Sequence, residues 1–242
     1  MRVCALIPAA GRGSRLGTDT PKILAPLNEQ DTIWSILHAK LAPLVDHIHL
    51  VLSADGAKAF PPLPPQVSTS IQPQPLGMGD AIFGAGAVWT KFDAVLIVWG
   101  DQLFVSTDTL RRALAALSPP AHHAVLPVTR MEQPYVEYLF DGTKLTKVLQ
   151  SREGDRTSPN GFSDVGTFAL GTAGLTELWD RYLAKGQRGS ATGEINFLPF
   201  LPFLSAQGWT MTSVEVADAT EARGINTKED LAFFQSLYRK TS

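Results

Sequence analysis

The chain opens on an apolar run, Val3 to Ile7. It stops at Pro8 and gives way to small residues (Ala9, Ala10, Gly11, Gly13, Ser14), then Arg15, Pro21 and Lys22. A buried strand that hands over to a glycine turn makes an anion-binding loop, because glycines let backbone N–H groups approach a phosphate with no Cβ in the way. Arg15 and Lys22 bring positive charge within reach of the same loop. The stretch from Leu6 to Lys22 is therefore expected to hold a nucleoside triphosphate.

Downstream, strands and helices alternate. Strand patterns cover Arg2–Ile7, His47–Ser53, Val67–Gln72 and Ala94–Trp99. Helical patterns cover Asp31–Leu41, Gly79–Trp89 and Ser106–Leu117. AVLIVW (94–99) is apolar on every residue, as in a strand covered on both faces of a mainly parallel sheet. This alternation argues for an α/β, Rossmann-like, doubly wound sheet. The second half differs. A strand at His123–Arg130 precedes two more, Val136–Phe140 and Lys144–Gln150, flanking Asp141-Gly142, a hairpin signal. Residues 151–162 and 186–193 are polar or glycine-rich and read as mobile loops. Then come a strand at Asp164–Leu170, a helix at Thr172–Lys185, a broken apolar segment at Glu194–Ala206, a strand at Trp209–Val216 and a closing helix at Thr227–Tyr238. The expectation is one domain over 1–242. Residues 1–120 would form a nucleotide-binding half, and 121–242 an acceptor-binding half with a β-hairpin subregion.

Several chemistries are excluded. Leu16 stands where the third glycine of a dinucleotide fingerprint belongs, and no glycine-lysine-serine/threonine follows at Walker spacing. The five histidines do not cluster with cysteine, and His38, His47 and His49 fit surface positions. Net charge is −2, which offers no whole-chain basic footprint for nucleic acid. No apolar run reaches the roughly 18 residues of a membrane span. The N-terminus does not read as a signal peptide, and the single cysteine, Cys4, reads as a buried apolar residue. A cytoplasmic protein without membrane or nucleic-acid partners is expected.

Asp101 stands at the C-terminal end of the most apolar strand, where open α/β sheets place their ligands. A carboxylate there, beside a phosphate loop, suits magnesium, which takes a few oxygens from protein and the rest from phosphate and water.

These residues together resemble a family. LIPAAGRGSRLGTDTPKILAPL is similar to the signature (A/P)AAGxGxRL…PK of sugar-phosphate nucleotidyltransferases, in particular the uridyltransferase domain of bacterial N-acetylglucosamine-1-phosphate uridyltransferase. QPQPLGMGDA resembles that family's base-reading segment Q-x-x-x-L-G-T-G-x-A. VLIVWGDQLFVSTDTL resembles its strand and metal aspartate, and GEINFLPFLPFLSAQG the segment before its last strand. EARGINTKEDL resembles the segment whose asparagine is the second metal ligand. No hexapeptide-repeat segment of the kind that forms the acetyltransferase half of that bifunctional enzyme occurs in these residues.

The resemblance implies roles. Ala10, Gly11 and Gly13 would offer backbone groups to the nucleotide, and Arg15 and Lys22 would neutralise the triphosphate as the catalytic cations. Gln72, Gly77 and Met78 would contact the base, Met78 replacing a family threonine. Asp101 and Asn226 would hold Mg2+. On the acceptor side the match is poorer: Val136 replaces a glycine, Gln150 a sugar-binding glutamate, and Asp164 an asparagine, whereas Glu194 matches. The implied reaction is transfer of a nucleotidyl group from an NTP (UTP first, then dTTP or CTP) to a sugar 1-phosphate, with release of pyrophosphate. The altered acceptor positions leave open a non-sugar alcohol or polyol phosphate, or a nucleotide-sugar sensor without catalysis.

Overall fold

The computed structural model describes residues 1–11, 16, 20–118 and 121–238. Its core is β1 (Val3–Ala9), β2 (His47–Leu52), β3 (Val67–Ile71), β4 (Ala94–Val98), β5 (His123–Met131), β9 (Thr167–Gly171) and β10 (Thr210–Glu215). They lie in the order β10-β5-β9-β4-β1-β2-β3, with β8 (Gly161–Asp164) paired to β5. β1 pairs in parallel with β2 and β4, β2 with β3, and β5 with β10. β9 runs antiparallel to both β4 and β5. The sheet is mixed and mainly parallel, as the alternation implied.

Its faces are set by the period of two along each strand. Val3, Ala5 and Ile7 of β1, with Ala94, Leu96 and Val98 of β4, enter one core. That core is covered by α1 (Ile33–Leu41), α5 (Thr107–Ala116) and α8 (Lys228–Tyr238). Cys4, Leu6, Val95 and Ile97 enter the other, under α3 (Met78–Gly84), α4 (Gly86–Trp89), α6 (Leu175–Leu183) and α7 (Phe200–Ala206). α1 begins in a capping box: Thr32 accepts from the Ser35 N–H, and Ser35 from the Thr32 N–H. The hairpin β6 (Val136–Asp141) and β7 (Lys144–Gln150) buries Val136, Tyr138, Leu145 and Val148 in the second core. The hairpin is thereby fixed to the central sheet through shared apolar surface.

Several boundaries differ from the sequence reading. The 79–89 helix breaks at Ala85 into α3 and α4, and a short α2 (Ala54–Ala59), capped by Ser53, fills the stretch before the proline-rich link. The 164–170 strand is two strands, because Gly166 turns the chain at φ +69°. A Cβ at Gly166 would lie 2.2 Å from Cγ of Gln102, so the turn also makes room for that side chain. α6 starts at Leu175 rather than Thr172. His49 is buried, not at the surface, with both ring nitrogens bonded to Ser68 and Ser70, and His123 is buried against Ser118 and Thr212. Cys4 is buried as expected, and burial pushes its thiol up to about 12.

Candidate functional site

The parallel strands run in the order β3-β2-β1-β4, so connections leave β1 and β4 in opposite directions and a crevice opens at their C-terminal ends. The two strands close tightly there: a Cβ at Gly100 would stand 3.1 Å from Ala9 Cβ and 3.2 Å from the Pro8 carbonyl. Gly11 borders this crevice from one side and Asp101 from the other.

Lys22 begins a short turn of 3-10 helix held by the Leu24 N–H on the Pro21 carbonyl. From there its Nζ reaches Asp101 Oδ2 at 2.6 Å and Asn226 Oδ1 at 3.2 Å. Asn226 is brought in by its neighbours. The Ile225 N–H donates to the Asp101 carbonyl at 3.1 Å, and Asp230 on α8 accepts from the N–H groups of Asn226 and Thr227 at 3.0 Å each. Burial alone would raise the Asp230 carboxyl, but those N–H donors with Arg223 and the Thr227 hydroxyl hold it below the usual carboxylate range. The sequence-separated Asp101 and Asn226 therefore present two hard oxygens to one cation, which in this structure is the Lys22 ammonium. That donor set suits Mg2+. Among the described residues no three His, Cys, Asp or Glu side chains gather to form a different metal site.

The Leu76–Gly79 segment is anchored by the Ile195 backbone. The Ile195 N–H donates to the Leu76 carbonyl at 2.7 Å, and the Gly79 N–H donates to the Ile195 carbonyl at 2.9 Å. Gly77 sits at φ +126°, with space for a Cβ only 2.6 Å from the Ile195 oxygen, so only glycine fits. Gln72 spends its amide N–H groups internally, on the Gly77 carbonyl at 3.1 Å and Asp80 Oδ2 at 2.7 Å. Because a carboxylate only accepts, this fixes the amide orientation and leaves Gln72 Oε1 as the atom offered to a ligand.

Val136 and Gln150 are cross-strand partners at the open end of the hairpin. Asp164 ends β8 opposite Val128 and is buried. Burial, reinforced by the Asp101 charge and opposed by the Gly166 N–H, pushes its carboxyl up to about 7. Glu194 forms an ion pair with Arg152.

Ala10, Gly11, Lys22, Gln72, Gly77, Met78, Asp101, Asn226, Val136, Gln150, Asp164 and Glu194 all line one cleft of about 710 Å³. Gly13 and Arg15 lie outside the described residues. The cleft also contains Tyr135, which precedes Val136 in the motif, and residues the sequence reading passed over: Trp99, Gln102, Arg152, Asn196 and Arg223. Gln102 and Arg223 adjoin motif residues in sequence, and that adjacency was the available signal. Arg152 adjoins an acceptor position in the same way. Gln102 is buried, yet its Oε1 has no hydrogen-bond partner among the described residues. A smaller cavity of about 420 Å³ meets the cleft at Gln133 and Tyr135. No helix among the described residues is long and apolar enough to cross a membrane.

Comparison with known proteins agrees with the fold. A family model described as the MobA-like NTP transferase domain matches residues 5–163. The bifunctional protein GlmU from two strains of Acidithiobacillus ferrooxidans is 28% identical over 244 aligned residues; the match takes in 97% of this chain and 51% of theirs. The chain thus spans about half the length of these relatives. Among solved structures, a Bacillus anthracis protein provisionally named a glucose-1-phosphate thymidylyltransferase, in complex with a sucrose, superposes with a TM-score of 0.74 at 15% identity, covering 98% of this chain and 95% of that one. A nucleotidyl transferase from Methanothermobacter superposes with a TM-score of 0.62 at 21% identity, covering 100% and 99%. At these identities the structural matches speak for the fold.

Proposed function

The chain belongs to the MobA-like NTP transferase domain family, and on that premise we propose that it transfers a nucleoside monophosphate from an NTP to a sugar 1-phosphate, releasing pyrophosphate. The observation that carries this reading is the Lys22–Asp101–Asn226 cluster at the mouth of β1 and β4, inside a cleft that also takes in the base-side and acceptor-side positions. Residues 1–120 would act as the nucleotide half and 121–242 as the acceptor half of one domain. The reaction is placed in the cytoplasm.

The acceptor phosphate is already an anion at neutral pH, so no general base is needed. One of its oxygens attacks the α-phosphorus, the bond to the bridging oxygen breaks, and pyrophosphate leaves with the electron pair. The difficulty is bringing two anions together and holding them in line. Lys22, and Arg15 by the family resemblance, would supply positive charge against the triphosphate. Asp101 and Asn226 would hold Mg2+, which when bound neutralises phosphate charge and orients the leaving group. Lys22 Nζ, which lies within reach of Asp101 and Asn226, would meet the triphosphate. Gln72 Oε1 would accept from an N–H on the base, which uracil N3–H fits, so UTP is the first choice, then dTTP or CTP. Val136 and Gln150 at the hairpin mouth, Asp164 on the floor and Glu194 on the far loop would contact the acceptor.

A second reading keeps the chemistry and replaces the sugar with an alcohol or polyol phosphate. Asp164 favours it, since a buried carboxyl that titrates near 7 offers a different hydrogen-bond pattern from an amide. A matrix of NTPs against phosphorylated acceptors, followed by pyrophosphate release, tests both. Signal with a sugar 1-phosphate supports the first reading, and signal only with a non-sugar phosphate supports the second. Tight nucleotide binding with no pyrophosphate from any pair points instead to a sensor.

A further inference from the structure

The two loops that read as mobile in the sequence, 151–162 and 186–193, are bonded to each other by one side chain. Glu153 Oε1 accepts from the Thr192 hydroxyl at 2.6 Å and Asn196 Nδ2 at 2.9 Å, and its Oε2 accepts from the N–H groups of Ala191 at 2.9 Å and Thr192 at 3.2 Å. The Glu153 carbonyl also accepts from the Ser190 hydroxyl. Gly189 lies over this knot, where a Cβ would come within 2.4–2.7 Å of Thr192 Oγ1, Glu153 Oε1 and Asn196 Nδ2. The loop then closes on itself, the Gly189 N–H donating to the Glu194 carbonyl at 2.9 Å. Burial works against the Glu153 charge, but the four donors outweigh it and hold the carboxyl at about 2, so the knot is charged at any working pH.

Glu153 itself does not line the cleft, but the loop it grips carries Glu194 and Asn196, which do. Between them Ile195 bonds to Leu76 and Gly79 on the nucleotide side. We infer that Glu153 is a positioning residue: its carboxylate fixes the 189–196 loop, and through the Ile195 backbone that loop sets the Leu76–Gly79 segment, so one side chain outside the cleft aligns its nucleotide and acceptor walls. The inference rests on the proposed function only where it speaks of nucleotide binding.

The test is amide hydrogen exchange on Glu153→Ala and Glu153→Gln, combined with UTP titration in Mg2+ and a Tm for each variant. A carboxylate that mattered only to its own loop would release the amides of Ala191 and Thr192 and nothing else. Positioning predicts that Ile195 and Gly79 also exchange about tenfold faster or more, the scale set by losing a charged hydrogen-bond acceptor. The α1 amides keep their wild-type rates. UTP affinity falls severalfold, and Glu153→Gln, which keeps one acceptor oxygen, falls between alanine and wild type. Unchanged exchange at Ile195 and Gly79 in both variants overturns the inference. Should the wild type bind none of UTP, dTTP and CTP, the functional reading fails, while the exchange data still decide the role of Glu153. If the alanine variant does not fold, the glutamine variant carries the same comparison.

Discussion

Lys22 Nζ stands 2.6 Å from Asp101 Oδ2, joining residues 79 positions apart in the chain, and about a fifth of each side chain remains open to solvent. In the proposed function Lys22 would meet phosphate and Asp101 would hold Mg2+. Lys22→Ala should slow turnover by about 10²–10³, the scale for removing one preorganised charge from a reacting phosphate. Asp101→Ala should abolish turnover, with Tm within a few degrees of wild type. Pyrophosphate release and a melting curve on the same samples check both. An Asp101→Ala enzyme with wild-type rates at limiting magnesium would remove the metal assignment.

Gln72 owes its orientation to Asp80, and so should base selectivity. Asp80→Ala removes the shorter of the two bonds that orient the Gln72 amide and leaves only the Gly77 carbonyl to hold it, so the amide can more readily turn and present N–H instead of oxygen. The ratio of kcat/KM for UTP over CTP, whose N3 carries no hydrogen, should then fall by roughly tenfold or more, since a buried group built to accept a hydrogen bond discriminates mainly through the penalty of leaving it unpaired. An unchanged ratio would show that Gln72 does not read the base.

The strands were legible because alternating residues of β1 and β4 feed two cores, and an all-apolar run such as AVLIV has no other stable home. The cleft was legible where its residues fall inside glycine-bounded motifs, as with Gly11, Gly77, Asp101 and Asn226. The break at Gly166 was not, because the reason for it is the Gln102 side chain on another element. Glu153 was invisible for the same kind of reason. It sits in a polar run, and its partners are 38 to 43 residues away. Composition marks such segments as loops but does not say which donors an isolated carboxylate will collect.

Gly79 and Gly84 belong to the same helix and should respond oppositely to alanine. A Cβ at Gly79 would fall 2.4 Å from Trp179 Cη2 and 2.8 Å from the Ile195 carbonyl, so Gly79→Ala should lose about 1–3 kcal/mol through overpacking. It should also weaken UTP binding by moving the segment beside Gln72. At Gly84 nothing lies within 4 Å, and Gly84→Ala should gain up to about 1 kcal/mol from the better helix former. Thermal melts of the two variants side by side test the packing of α3 on Trp179. Equal shifts in the same direction would contradict it.

Asp164 makes stability depend on pH in an unusual direction for a carboxyl. Burial first, then the Asp101 charge, raise it to about 7 from the ordinary aspartate value of 3.8, against the pull of the Gly166 N–H. The folded chain therefore holds a proton that the unfolded chain gives up between about pH 4 and 7. The unfolded state binds fewer protons over that window, so this group's contribution is full below pH 4 and is lost as pH rises through 7. Asp164→Asn removes the titration while keeping the shape. Without divalent metal, the variant should melt above wild type at pH 8, and the gap should close as pH falls to 4. The same substitution should flatten any rise in acceptor KM between pH 6 and 8, because an amide keeps the donor that the wild-type carboxyl loses on ionising. A gap in Tm that stays constant from pH 4 to 8 would mean that Asp164 is ionised throughout, and that its neighbours in the cleft compensate for its burial.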